Sequence, residues 1–217
     1  MQSFAEIRQI AEARKGGDVV PSETRTDVAA TSDQDWLRTM ARAIFQTGIS
    51  WQVVENKWEG IEEAFDNFDV ARVAFYDEDR MDELMADTRV IRSGPKLLAI
   101  RHNAAFIQEV SAEAGSFGAK IAAWPADDFA GLTLWLKNEG SRLGGNTGPY
   151  VLRQMGRDGW ILSQDVTARL VEEGVISGPA TSSKALRAVQ SAFDTWSAES
   201  GLGFTQISRV LAQSIDG

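Results

Sequence analysis

The chain has 217 residues, 43% of them hydrophobic and 24% charged, which is an ordinary composition for a folded globular protein with a sizeable core. It contains no cysteine and one histidine, His102, so disulfides, thiolate metal sites and histidine-rich zinc centres are excluded, and we expect neither a metal nor a cofactor. No run of apolar residues approaches the ~18 that a membrane span needs, and the charged start is unlike a signal peptide, so we expect a cytoplasmic protein with no membrane partner.

The distribution of charge is more informative than its sum. The formal net charge is −9, which argues against a generic nucleic-acid-binding protein. Residues 88–108, however, contain four lysines or arginines and no acid, and residues 137–157 contain four against one glutamate. This pattern indicates either a basic face on an acidic body or a chance fluctuation in charge, and composition alone does not separate the two.

Apolar residues in the first half of the chain recur with the 3.6-residue period of helices, and strand-like alternation is scarce. We interpret residues 15–31 as a flexible arm or linker, and we predict a helix from the capping residue Ser32 to Gly48. The next predicted helix, over 50–68, has one apolar stripe formed by Trp51, Val54, Trp58, Ile61 and Phe65. Helices are also predicted over 70–76, 77–88 and 94–115, the last with a proline in the first turn, where proline is tolerated.

The second half continues the helical pattern. Helices are predicted over 126–140, 150–156, 163–174, 182–201 and 203–215. With roughly ten helices and no repeat, the chain is predicted to be an all-α protein, a two-lobed helical bundle. We expect residues 1–217 to form a single domain whose functional site lies in the cleft between the lobes.

One segment interrupts this pattern with an unusual number of glycines. The stretch "GGNTGPY" places Gly148-Pro149 where a hairpin would lead into a helix, which makes 143–156 a candidate hairpin motif. Exposed backbone N–H groups at such a turn, together with the helix dipole, can bind a phosphate. The alternative is an ordinary helix–helix connection.

An aspartate follows the hairpin in a position suited to chemistry. In "WILSQDV", Ser163 is a predicted N-cap, which places Asp165 at the second helical position. A carboxylate there is ionised and directed outward. The alternative is a simple helix-start acid, of which proteins have many.

Together, the hairpin, short helix and aspartate resemble the helix-hairpin-helix DNA glycosylases. Three further segments, "GISW", "FDNFDVARVA" and "VIRSGPKLLAIRHNA", resemble the DNA-3-methyladenine glycosylase I family in order and spacing. The resemblance extends over about residues 36–170. It implies a helix-hairpin-helix DNA-binding motif and a helical glycosylase fold.

The same resemblance implies an activity and a set of site residues. The expected activity is hydrolysis of the N-glycosidic bond of a damaged, alkylated base that is flipped out of double-stranded DNA, by a monomeric protein of base excision repair. Asp165 fills the position of the superfamily's catalytic aspartate. The base pocket would be formed by Trp51, Phe45, Gln46 and Tyr150. The DNA backbone would be bound by Gly145, Asn146, Thr147, Gly148, Arg92 and Lys96.

The sequence also departs from that family. The family's zinc-binding cysteines and histidines are absent, and Ala43 stands where members carry a base-recognition glutamate. Tyr150 stands where some superfamily members have the lysine that cleaves the backbone, so we expect no lyase activity. Two alternatives therefore remain: a catalytically inactive DNA- or lesion-binding protein of the same fold, and a helical scaffold in which Trp51 belongs to the core.

Overall fold

The fold is described by a computed structural model that covers residues 1–22 and 26–215. Within these residues the regular structure consists of helices alone, with no β-strand. The predicted all-α fold is therefore confirmed. No helix in the described part of the chain is long and apolar enough to cross a membrane.

The described residues form twelve α-helices: α1 Phe4–Lys15, α2 Asp33–Gln46, α3 Trp51–Ala64, α4 Val70–Ala74, α5 Glu78–Ala86, α6 Gly94–Ala114, α7 Phe117–Ala122, α8 Phe129–Glu139, α9 Thr147–Gln154, α10 Gln164–Glu172, α11 Ser183–Ser200 and α12 Phe204–Gln213. Short 3₁₀ turns occur at Val28–Ala30 and Asp66–Phe68. The helices α1 and α7 were not among the predicted helices.

Side-chain caps explain why so many helix starts can be identified in the sequence. The cap side chain accepts a backbone N–H of the first turn at Ser3, Ser32, Asp69, Asp77, Ser116, Asp128, Ser163 and Ser182. Each such bond satisfies a donor that has no partner inside the helix, typically worth about 1 kcal/mol. The helix starts are therefore determined locally.

The helices pack as two groups. The first group, α2 to α7, is one continuous stretch of chain centred on α6. The second group combines α1 with α8 to α12, and α1 packs against α12. The groups meet where α2 packs against α9, the helix that follows the glycine-rich hairpin.

The N-terminal segment is tied to the second group by hydrogen bonds. The indole of Trp196 donates to the carbonyl of Gln2 (3.1 Å), and the amide of Gln213 donates to the carbonyl of Val19 (3.3 Å). The expected flexible arm at 15–31 is packed in part of its described length, since Val19 is buried and Thr31 accepts a hydrogen bond from the indole of Trp36. Residues 23–25 of that arm lie outside the described residues.

Candidate functional site

The glycine-rich segment is a hairpin between α8 and α9. Leu143 is buried and anchors the turn. Gly145 has a φ of +61°, a conformation that side chains other than glycine rarely adopt. Gly148 packs so tightly that a Cβ atom added there would lie 2.6 Å from the carbonyl oxygen of Leu143. These two positions explain why the chain uses glycine here, and α9 begins at Thr147, two residues before Pro149.

The hairpin is held from two sides by asparagine side chains. Asn103, fully buried in α6, donates to the carbonyl of Ser141 (3.0 Å) and accepts from its backbone N–H (2.7 Å). Asn146 donates its side-chain amide to the carbonyl of Leu162 (2.8 Å), in the segment that leads into α10. Sequence reasoning missed Asn103, although a buried amide in an apolar helix face is a signal, because buried polar groups need partners.

The backbone donors available at the hairpin differ from those we expected. The N–H of Thr147 donates to Gly144 (3.3 Å) and that of Gly148 to Leu143 (3.1 Å), so both are used within the turn. The N–H groups of Gly145 and Asn146 donate no hydrogen bond within the described residues. An anion at this helix N-terminus would therefore meet the free N–H groups of Gly145 and Asn146, whereas those of Thr147 and Gly148 are already bonded.

Asp165 occupies the predicted second position of α10. Ser163 caps the helix by accepting the N–H of Val166 (3.2 Å). The side chain of Asp165 is half-buried, and its carboxylate has no hydrogen bond or ion pair with any residue in the described part of the chain. A carboxylate left unpaired at a helix start, beside a segment fixed by Asn146, is available to a ligand.

Two of the expected base-pocket residues are exposed aromatics. Trp51 begins α3 and is 64% exposed, so it is not part of the core stripe that Val54, Trp58 and Ile61 form. Tyr150, in the first turn of α9, is 43% exposed. Both rings can therefore meet a ligand.

The other two expected base-pocket residues, Gln46 and Phe45, differ in their exposure. Gln46 is half-buried, with its amide nitrogen 3.4 Å from a carboxylate oxygen of Glu55. Phe45 is fully buried and packs edge-on against Phe65, with ring centroids 6.4 Å apart. The assignment of Phe45 to the wall of an open pocket is wrong, because its ring fills the core of the first group.

The two expected cationic contacts also have different environments. Lys96 is only 8% exposed, and its ammonium donates to the carbonyls of Phe45 (2.9 Å) and Thr47 (2.7 Å) at the end of α2. Its role as a phosphate ligand is therefore wrong, since it caps a helix C-terminus. Arg92 is exposed and makes no hydrogen bond or ion pair with the described residues, which leaves it free to contact a phosphate.

Lys96 links the loop before Trp51 to the hairpin, because its ammonium bonds the carbonyl of Thr47 and lies near Arg142. Burial and the neighbouring Arg142 guanidinium hold the pKa of Lys96 below its usual value. Arg142, an exposed hairpin residue, also donates to the carbonyl of Pro95 (3.3 Å). The end of α2, the start of α6 and the hairpin thus converge. No hydrogen bond or ring contact among the described residues joins Trp51 to Asp165.

Two arginines of the second basic segment face elsewhere. Arg153 donates to the carbonyl of Gly159 (2.9 Å), and Arg157 donates to those of Trp124 and Pro125 (3.1 Å each). These arginines lie beyond the C-terminal end of α9, whereas the hairpin precedes its N-terminal end. They do not extend the basic surface around Arg142.

A groove beside the hairpin contains residues that sequence reasoning missed. Its volume is about 810 Å³, and Phe75, Leu98, His102 and Arg142 are among its lining residues. The ring of Phe75 is 81% exposed, which is unusual for an aromatic side chain. No signal in the sequence indicated that Phe75 would be exposed, because its exposure depends on how α4 packs against α6.

Comparisons with known proteins bear on the family resemblance and the fold. Residues 27–128 match the family model of methyladenine glycosylases, just under half of the chain. The match ends before the hairpin and Asp165. It confirms the predicted resemblance to the DNA-3-methyladenine glycosylase I family over the first group of helices.

Solved structures extend the likeness to the fold. A 3-methyladenine DNA glycosylase I from Staphylococcus aureus is 24% identical, covering 64% of this chain and 80% of that one, with a TM-score of 0.51. A mutant of the Staphylococcus aureus glycosylase is 23% identical, covering 58% of this chain and 77% of that one, with a TM-score of 0.51. A variant of a 3-methyladenine DNA glycosylase I in complex with 3-methyladenine is 21% identical, covering 67% of this chain and 86% of that one, with a TM-score of 0.51. At this identity the likeness shows a shared helical fold.

Proposed function

We propose that the chain is a monofunctional DNA glycosylase that hydrolyses the N-glycosidic bond of a damaged, alkylated base flipped out of double-stranded DNA. The observation that carries this proposal is the unpaired carboxylate of Asp165 at the start of α10, in a segment bonded to the hairpin through Asn146. We further propose that residues 1–217 act as a single monomeric domain.

The chemistry needs a negative charge close to the sugar. Cleavage of an N-glycosidic bond develops positive charge on the sugar ring, as in other glycoside hydrolyses, and a fixed carboxylate stabilises that charge and orients water. Asp165 has no competing partner among the described residues. It can therefore direct its charge at the substrate.

The flipped base would stack on exposed aromatic rings. A base inside a duplex is unreachable, so the nucleotide is extruded and held between aromatic or apolar faces. Trp51 and Tyr150 are the expected residues whose exposure supports this role, with the amide of Gln46 reading the base edge.

The hairpin would bind the phosphate backbone of the duplex. The unused N–H groups of Gly145 and Asn146, at the positive end of α9, suit one phosphate, and exposed Arg142 and Arg92 suit its neighbours. Such contacts fix the position of the protein without reading sequence. They also reconcile DNA binding with an overall charge of −9, because the cations are local.

Two differences from the residues of related glycosylases, at Ala43 and Tyr150, shape the expected base specificity and reaction product. Ala43 leaves no carboxylate on this face of α2, so recognition of the base must differ from that of family members with a glutamate there. Tyr150 cannot form a Schiff base as a lysine does, so cleavage should stop at the abasic site.

A second candidate function is favoured by Ala43 itself. Loss of the base-recognition carboxylate would suit a protein that binds damaged or structured DNA without excising a base. The fold and the hairpin would then serve recognition alone.

A panel of duplexes with different alkylated bases separates these functions. We expect at least one lesion to be converted to an abasic site, with strand cleavage only after alkali and no trapped covalent adduct on borohydride reduction. Tight binding without abasic sites across the panel would support the second candidate, and neither binding nor excision would contradict both.

A further inference from the structure

A second cleft, distant from the hairpin, is lined by three arginines. It has a volume of about 370 Å³ and lies between the end of α9, the start of α12 and the N-terminal segment. Its charged lining residues are Arg153, Arg157, Arg209 and Asp158, and its other polar side chains are Ser22, Thr26, Thr205 and Gln206. The cleft lies at the opposite end of α9 from the hairpin, roughly 12 Å along the helix axis for eight residues.

Two of the guanidinium groups are only partly satisfied. The Nε atoms of Arg153 and Arg157 are buried and have no hydrogen-bond partner in the described part of the chain. The Nη2 atoms of both residues donate to backbone carbonyls, so the side chains are held in fixed positions. The Nη1 atoms of both guanidiniums make no hydrogen bond with the described residues, which leaves them available to an acceptor bound in the cleft.

Like charges face each other in this cleft. Burial and the nearby charge of Arg209 lower the pKa of Arg153 to about 10, and burial also lowers the pKa of Arg157. Cations that repel one another in a partly desolvated site destabilise the free protein. An anion between them would relieve that repulsion.

Asp158, the one acid among the described lining residues, is already engaged. The two carboxylate oxygens of Asp158 accept the N–H groups of Phe204 and Thr205, at 2.8 Å each, and so cap the start of α12. The charge of Asp158 partly offsets the lowering of the pKa values of Arg153 and Arg157, but no hydrogen bond or ion pair joins its carboxylate to a guanidinium among the described residues. The described lining residues therefore carry an excess of two positive charges.

We propose that this cleft binds a phosphate group, and that its charge suits the dianionic monoester of a free nucleotide better than the monoanionic diester of DNA. Guanidinium forks match phosphate oxygens in geometry and bind them through paired, charge-assisted hydrogen bonds. The volume falls in the range of small-molecule sites, about 300–1,000 Å³. The site is separate from the glycosylase activity proposed for Asp165 and does not depend on it.

Calorimetric titration of the full chain tests this site, with inorganic phosphate, a nucleoside 5′-monophosphate and undamaged duplex DNA as probes. The central variant is Arg209→Gln, because Arg209 is not one of the two arginines that bond the backbone carbonyls of the surrounding loops. We expect the monophosphate affinity to fall about tenfold or more and the duplex affinity to stay unchanged. Arg209→Lys keeps the charge without the fork and should lose less.

Two controls make the result specific. Arg72→Gln removes an exposed arginine of α4 and should leave monophosphate affinity unchanged. Arg92→Gln should weaken duplex binding alone. Circular dichroism melting checks that each variant is folded.

Three outcomes would overturn the assignment. One is the absence of monophosphate binding at millimolar concentration, and another is an equal affinity in the wild type and Arg209→Gln. The third is a loss of duplex affinity in Arg209→Gln that matches the loss for the monophosphate, since it would identify the DNA backbone as the source of the phosphate.

Discussion

Asn146 donates its side-chain amide to the carbonyl of Leu162 at 2.8 Å, and this bond joins the hairpin to the segment that carries Asp165. The bond therefore fixes the proposed DNA-backbone contact at the hairpin relative to the proposed catalytic carboxylate of Asp165. The position of the carboxylate relative to a bound phosphate depends on this contact.

Removing that bond should loosen the site. We expect Asn146→Ala to lower the free energy of unfolding by about 0.5–1.5 kcal/mol, and to reduce base release further by misplacing the aspartate. Urea denaturation and single-turnover assays measure the two effects. Asn138→Ala, at an exposed asparagine near the end of α8, is the matched control and should change stability by less than about 0.5 kcal/mol. Equal behaviour of the two variants would contradict the role of the Asn146 bond.

The hairpin glycine with the closest backbone neighbour should not tolerate a side chain. In Gly148→Ala the new Cβ meets the carbonyl oxygen of Leu143 at 2.6 Å, so the turn must shift, at about 1–3 kcal/mol. We expect lower stability and weaker duplex binding. Gly178→Ala, where nothing lies within 4 Å and φ is ordinary, should leave both unchanged. Normal duplex binding by a folded Gly148→Ala variant would argue against the hairpin as the DNA grip.

Lys96 and Arg92 should respond in opposite ways to the loss of charge. Lys96→Ala leaves the carbonyls of Phe45 and Thr47 without their donor, and we expect unfolding free energy to fall by about 1.5–3 kcal/mol. Arg92→Ala should keep stability, weaken duplex binding, and reduce the slope of log affinity against log salt by about 1. Binding isotherms at several salt concentrations measure the second effect. A stable Lys96→Ala protein with reduced salt dependence would restore Lys96 as a phosphate contact.

The ring of Trp51 should matter for substrate and little for folding. Because it is 64% exposed, we expect Trp51→Ala to change stability by less than about 0.5 kcal/mol. Loss of stacking should weaken binding of a lesion duplex by about 1–3 kcal/mol, and Trp51→Phe should recover most of it. Unchanged lesion binding in Trp51→Ala would remove this residue from the base pocket.

Local signals in the sequence determine much of the fold. Ser32 and Ser163 cap their helices as predicted, and the prediction of Asp165 at the second position of α10 is confirmed. These features depend on residues within one turn of each other. They can be identified without knowing how the helices pack.

The errors concern side chains whose surroundings come from distant parts of the chain. Lys96 in a first helical turn looks like a solvent-facing cation, yet its partners at the end of α2 are about fifty residues earlier. Phe45 stands beside Gln46 in sequence but points into the core against Phe65. Trp51, by contrast, is exposed as its assignment to a base pocket requires, although its spacing also fits the apolar stripe of α3.

The most direct test of the proposed chemistry is base release by Asp165→Asn on a lesion that the wild type excises, compared with Asp79→Asn. Asp79 occupies the same second position in α5 and is exposed, so its replacement reports what a helix-start charge contributes to folding alone, about 0.3–1 kcal/mol. We expect Asp165→Asn to fold and to bind the duplex while releasing the base at least 10²- to 10³-fold more slowly, on the order of the loss of one preorganised electrostatic group. Asp79→Asn should release it at the wild-type rate. Base release by Asp165→Asn at a rate near that of Asp79→Asn would contradict a catalytic role for Asp165.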